Sequence, residues 1–213
     1  MLLTPTEAAA IEARVAKLEA ERGLEVVTLI ARKSDDYPEA VWKAFAFGAA
    51  AAGLIVALAD LAEPTWTGAA QALTPVLAVL GAAAACALAA VFVPAVTRLF
   101  LHEERVALET QQYAKAQFLD RGLFATPERT AILLLVSLLE RRVVIHADTA
   151  LRAQVSAQEW DQVIARMAAP LRAGRRGEAV LAGLDAIDEL IDRQGIARGS
   201  GAGFGDRPIE ADR

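Results

Sequence analysis

The side chains in this chain that could do chemistry are few and mostly acidic. Glu128, Asp148 and Glu159 are hard oxygen donors of the kind that Ca²⁺ or Mg²⁺ takes. Structural readings compete with that one. Glu128 and Asp148 fall at the ends of expected strands, where carboxylates are ordinarily solvated, and Glu159 closes the capping box Ser156-Ala157-Gln158-Glu159. Asp35 and Asp36 lie in Ser34-Asp35-Asp36-Tyr37-Pro38, where the Asx-type hydrogen bonds of a turn account for them. His102 and His146 have no Ser or Cys at a recognisable nucleophile spacing, and Cys86 sits among alanines as a small apolar filler. The sequence contains no Walker loop, dinucleotide fingerprint or Cys/His metal set. No residue is therefore assigned a catalytic role.

The elements that must position these carboxylates read as an α/β domain. Thr4-Pro5-Thr6-Glu7 opens a helix with a capping box, Ile11, Val15 and Leu18 share its inner face, and Gly23 ends it. Glu25 to Arg32 is a short β-branched run that reads as a buried strand. Leu99 to Arg121 is helical, with Leu101, Val106, Leu108, Tyr113 and Phe118 as its apolar side, and stops at Gly122. Two strands follow, Thr130 to Leu138 and Arg142 to Ala147, joined by a tight turn at Leu139-Glu140-Arg141. The helix opened at Ser156 carries Trp160, Val163, Ile164 and Met167 inward, and Gly174 to Gly177 breaks it. The last helix buries Val180, Leu184, Ile187 and Ile191 and ends near Gly195. A strand, a helical crossover and a second strand favour parallel pairing, and the third strand is antiparallel. The expectation is a small mixed sheet of about three strands covered by helices. Arg172, Arg175 and Arg176, with Arg141 and Arg142, suit a helix C-terminus and a solvated turn better than a lipid surface.

The crossover itself is unusual. Val41 to Leu61 and Ala72 to Thr97 are each long enough for a bilayer, which needs about 20 mostly apolar residues. Asp60 is the only ionised group at the end of the first, and the second has none. Gly48 and Ala52, and Gly81, Ala85 and Ala89, repeat at the four-residue interval that lets membrane helices approach closely. Pro94 is expected to kink the second span, while Trp42 and Trp66 suit interfacial positions. Arg32 and Lys33 precede the first span, Lys43 lies at its start, and Arg98 and Arg105 follow the second, whereas the link Ala62 to Gln71 holds Glu63 and no Lys or Arg. This bias predicts a multi-pass protein with both termini and the sheet domain cytoplasmic. Residues 1–23 have no apolar stretch of the secretory type. The expected organisation is a first part of the domain over 1–40, a hairpin over 41–101 with spans 41–61 and 72–97, the remainder over 102–195, and a disordered Gly-rich tail over 196–213. A net charge of −5 argues against nucleic acid as a partner. The partners expected are the lipid bilayer and a membrane or cytoplasmic protein.

The order of these elements resembles the TPM domain, in a bacterial membrane-bound subgroup with an inserted transmembrane hairpin. The residues that carry the resemblance are Leu3-Thr4 before the first helix, Glu25 to Ile30, Ser34-Asp35-Asp36-Tyr37, Phe118 to Leu123, Arg129 to Leu138, Glu140 to Val143, Ala147-Asp148, Trp160 and Leu171 to Gly174. They span Leu3 to Ile191. The resemblance implies a fold together with one of three roles: weak acid phosphatase, Ca²⁺-binding module, or accessory to membrane complexes. It also implies a site of acidic groups at the start of the second strand and just after the third, here Glu128 and Asp148, with Glu159 and Asp161 at the next helix start. The chain departs from the family at two points. Ala147-Asp148-Thr149 stands where many members have a Gly-Tyr-Gly type turn, and the next helix starts on Ser156 rather than Asp.

Overall fold

The computed structural model describes residues 2–62, 69–196 and 206–211. In chain order its elements are α1 (Pro5–Arg22), β1 (Glu25–Ala31), α2 (Pro38–Ala62), α3 (Ala69–Phe92), α4 (Pro94–Leu99) and α5 (Glu103–Asp120). After a 3₁₀ turn (Leu123–Ala125) come β2 (Ala131–Ser137), β3 (Arg142–Ala147), α6 (Thr149–Gln154), α7 (Ala157–Arg172), α8 (Arg176–Gln194) and β4 (Ile209–Ala211). They divide into two units, Met1–Asp35 with Ala107–Arg213, and Asp36–Val106.

The first unit is built on a mixed sheet of order β3-β2-β1-β4. β1 and β2 run parallel with Glu25 opposite Ala131, and β3 returns antiparallel with Ala147 opposite Ile132, as the crossover argument requires. Both faces of the sheet are covered, which is why β1 and β2 read as continuous apolar runs rather than alternating ones. Side chains still alternate between two cores. Val26, Ile30, Ile132 and Leu134 pack with Ile11 and Leu18 of α1, Met167 of α7 and Leu184 and Ile187 of α8. Val27, Leu29, Leu133 and Leu135 pack with Tyr113 and Phe118 of α5. Both expected capping boxes form: Thr4 with Glu7, and Ser156 with Glu159. Across α1 and α8, Arg14 reaches Asp185 and Asp188 at 2.6 and 2.8 Å, and Arg22 reaches Asp188 and Asp192 at 2.7 and 2.6 Å.

Part of the expected tail is ordered. Ile209–Ala211 extends the sheet by a fourth strand, parallel to Leu29–Ala31, and the Arg32 amide donates to the Ala211 carbonyl at 3.0 Å. The Glu210 carboxylate accepts from the Leu2 and Leu3 amides at 2.8 Å each. A three-residue strand carries too little pattern to be read from sequence, and its partners lie at the other end of the chain. The remaining tail positions, 197–205 and 212–213, lie outside the described residues, as do Glu63 and Trp66 of the link.

The second unit holds two helices long and apolar enough to cross a membrane, Pro38–Ala62 and Leu73–Phe92. They meet on small residues. A Cβ on Gly48 would lie 2.8 Å from the Ala82 carbonyl oxygen and 2.9 Å from the Cys86 Sγ, so the close approach requires glycine. The matching stripe of α3 is Ala83, Cys86 and Ala90 rather than the expected Gly81, Ala85 and Ala89. A Cβ on Gly81 would meet nothing within 4 Å; the contacting stripe is spaced by three and then four residues, and packing rather than a fixed four-residue interval selects it. Pro94 does more than kink the second span. It ends α3, and the chain passes through α4 and a break at Phe100–His102 before α5, so the expected unbroken helix from Leu99 is two segments. Pro94 has no N–H for the Ala90 carbonyl, and the Thr97 hydroxyl donates to that oxygen at 2.6 Å instead. Lys43 Nζ donates to the Phe100 carbonyl at 3.1 Å, and Arg105 pairs with Glu39 at 3.0 Å.

Candidate functional site

The antiparallel β2–β3 pair brings Glu128 and Asp148 to one end of the sheet. Asp148 is buried, 3% exposed, and so is not the solvated loop charge of the structural reading. It is the N-cap of α6, its Oδ1 accepting from the Thr149 amide at 2.6 Å. Its own amide donates to the Ala131 carbonyl at 2.9 Å, closing the ladder. Oδ2 lies 3.1 Å from Arg129 Nε, an ion pair although its angle falls short of a hydrogen bond. Arg129 adopts the left-handed backbone region (φ 57°), and its guanidinium also donates to the Phe124 carbonyl at 2.7 Å. Burying Asp148 is tolerable because that charge is paired and capped.

Glu128 stands on the exposed surface beside Arg129. Glu159 serves elsewhere. It accepts from the Ser156 amide and hydroxyl at 2.9 and 2.8 Å and from the Gln194 amide, and the Ser156 bonds hold its carboxyl below the usual range. Among the described residues, no group of three or more His, Cys, Asp or Glu comes together as a cation cage. Asp148 and Glu159 each cap a different helix, α6 and α7. His146 packs edge-on against the Phe118 ring at 4.8 Å, and burial, with Arg152 and Lys115 nearby, pushes its pKa down.

Two polar clusters escaped the sequence reading. At the opposite end of the sheet, the buried Ser34 donates its hydroxyl to the Ser137 Oγ at 2.8 Å and its amide to Glu140 Oε1 at 2.6 Å. Ser137 in turn donates to Glu140 Oε2, tying the exit of β1 to the β2–β3 turn. The second cluster joins Glu19 of α1, the buried Glu25 of β1 and Asp206. Burial drives the Glu19 carboxyl up to about 8, opposed by the bond from the Val26 amide and reinforced by Glu25 and Asp206. The one sequence signal for either cluster is an acidic residue opening an otherwise apolar strand, Glu25.

A family model described as the TPM domain matches residues 67–190, more than half of the chain. The chain belongs to the TPM domain family. The match takes in β2, β3, α6, α7 and most of α8, and with them Glu128, Asp148 and Glu159. This TPM chain is also similar in fold to the BA42 protein of the psychrophilic bacterium Bizionia argentinensis, solved by NMR. The TM-score is 0.56 at 10% identity, covering 98% of this chain and 94% of that one. Comparison with curated proteins gave no match.

Proposed function

We propose that this TPM protein is a membrane-anchored binding or accessory module for a process at a bacterial inner membrane, with its sheet domain and both termini cytoplasmic. One observation carries the reading: the two membrane-length helices α2 and α3 are inserted between β1 and β2, which are hydrogen-bonded neighbours in the sheet. A sheet whose central strands flank the anchor is tethered at both ends, so the domain works where the anchor sits. The charge bias of the flanks supports the cytoplasmic side. The partner is a membrane or cytoplasmic protein, together with the bilayer. A topology reporter fused at Gly68, with fractionation of the full chain, tests the reading. It is expected to report the outer side of a protein that stays in the membrane through an alkaline wash, and a cytoplasmic reporter would overturn the orientation. The enzymatic alternative, a Ca²⁺- or Mg²⁺-dependent phosphatase using Asp148 and Glu128, is separated by assaying a generic phosphate ester with each metal. The module reading expects no activity in the native chain for Asp148→Asn to abolish.

A further inference from the structure

The sheet order leaves β3 at an edge, with β2 on one side of it only. The Asp148 amide donates to the Ala131 carbonyl, so the amides of Arg142, Val144 and His146 also point to β2. Those of Val143, Ile145 and Ala147 point the other way, and no strand among the described residues pairs with them. Sheet edges are ordinarily guarded by a lysine within the strand, a proline or a bulge. Val143 to Ala147 has none of these, and its register with β2 is continuous. Basic side chains flank the strand instead. Arg141 and Arg142 stand exposed at its start, and Arg152 stands exposed on α6, which follows its end. Lys115, also exposed, lies one turn before Phe118, whose ring meets His146 at 4.8 Å. Among the described residues, Lys115, Arg141, Arg142 and Arg152 enter no hydrogen bond or ion pair. The carboxylates at the two ends of β3 are engaged already, Asp148 by Arg129 and the Thr149 amide, Glu140 by Ser34 and Ser137.

We propose that the outer edge of β3 is a docking site for an extended acidic polypeptide segment, which adds to the sheet as a further strand. The inference rests on the reading of this chain as a binding module and names the chemistry of its partner. Val143, Ile145 and Ala147 offer their N–H and C=O groups at two-residue intervals, the spacing that another strand matches. A lipid headgroup or a nucleic acid has no such alternation of donors and acceptors to set against them. Charge selects the sign of the segment. Lying along β3, it meets Arg141 and Arg142 at one end and Arg152 at the other, all without an acidic partner. A second copy of this chain is the less favoured occupant. Adding antiparallel, it would bring the Arg142 end of each β3 to the Ala147 end of the other, cation against cation.

The test is a titration of the full chain in detergent micelles, followed by the NMR amide signals of Val143, Ile145 and Ala147. The probes are two capped peptides of equal length, one alternating Glu and Val, the other alternating Lys and Val. The Glu-Val peptide is expected to shift these signals saturably and to bind roughly tenfold more tightly than the Lys-Val peptide. The double variant Arg142→Glu, Arg152→Glu is expected to erase that preference. Val143→Pro removes an outward amide and leaves the ladder to β2 in place, and is expected to weaken the Glu-Val peptide by roughly tenfold. Unchanged signals from central β2 amides show that a variant is folded. The double variant alters exposed side chains only, so it keeps the test decisive where the proline variant does not fold. Absence of a saturable shift, equal affinity for the two peptides, or native-like binding by both variants overturns the proposal. So does a free chain whose outward β3 amides are already protected in a dimer. The Gly68 reporter reads membrane placement and this titration reads the sheet edge, so each reading can fail without the other.

Discussion

The sheet unit and the hairpin unit are both helix-rich, yet they hold together by opposite means. In the sheet unit the buried side chains are large: Ile11, Leu18, Leu134 and Leu184 fill the space between sheet and helices. In the hairpin the large side chains, such as Leu54, Ile55, Leu77 and Leu80, point outward, and the contact is made by Ala44, Gly48, Ala83 and Ala90. Water explains the first pattern, since burying apolar area there contributes about 25 cal/mol per Å². The second is the pattern a lipid surround favours, because lipid is as apolar as leucine and helices within it gain by backbone approach and not by hiding large groups. Apolar content alone therefore says nothing about which way a residue faces.

The comparison can be broken most sharply by one change on each side. Leu134→Ala, in the central strand, is expected to cost about 2–5 kcal/mol in chemical unfolding of the chain in detergent. Leu80→Ala, which removes the same atoms from a residue 52% exposed, is expected to stay within about 0.5 kcal/mol. Equal costs would mean the outward face of α3 is packed against protein. The next effect runs in the opposite sense, adding atoms. Gly48→Leu should cost about 1–3 kcal/mol by forcing α2 away from α3, seen as lost cross-linking between cysteines placed on the two helices. Near-UV circular dichroism of the sheet unit should be unchanged.

The smallest effect sharpens what charge contributes to the watered unit. Burial pushes the Asp188 carboxyl up, but hydrogen bonds from Arg22 and Arg14 outweigh it and hold the group below its ordinary 3.8. A depressed folded-state value contributes stability above 3.8 that is lost as pH falls through the lowered value. Asp188→Asn is expected to cost about 1 kcal/mol at pH 7 and progressively less in acid, measured by urea titrations at each pH.

Much of the fold was legible because its signals are local. Thr4 with Glu7 and Ser156 with Glu159 announce helix starts three residues wide, and the parallel β1–β2 pair follows from the length of the crossover between them. α6 was missed because its six residues span under two turns, too few for a periodicity. Leu108, expected on the inner face of α5, is 53% exposed, while Thr110 and Ala114 are buried in that helix. The candidate site was legible only as a set of positions. That Asp148 caps α6 and pairs with a left-handed Arg129, while Glu159 binds Ser156 and Gln194, depends on where neighbouring backbone turns.

The sequence by itself determined what each segment can tolerate: which stretches need water, which suit lipid, where helices begin, and which family the order of elements resembles. These are properties of side chains within a few residues of one another. Tertiary structure decided which small-residue stripe meets Gly48, which edge of β1 receives Ile209–Ala211, and which carboxyl burial pushes up. Each of those depends on groups brought together across long chain separations. Their distances and dielectric surroundings exist only once the chain is packed.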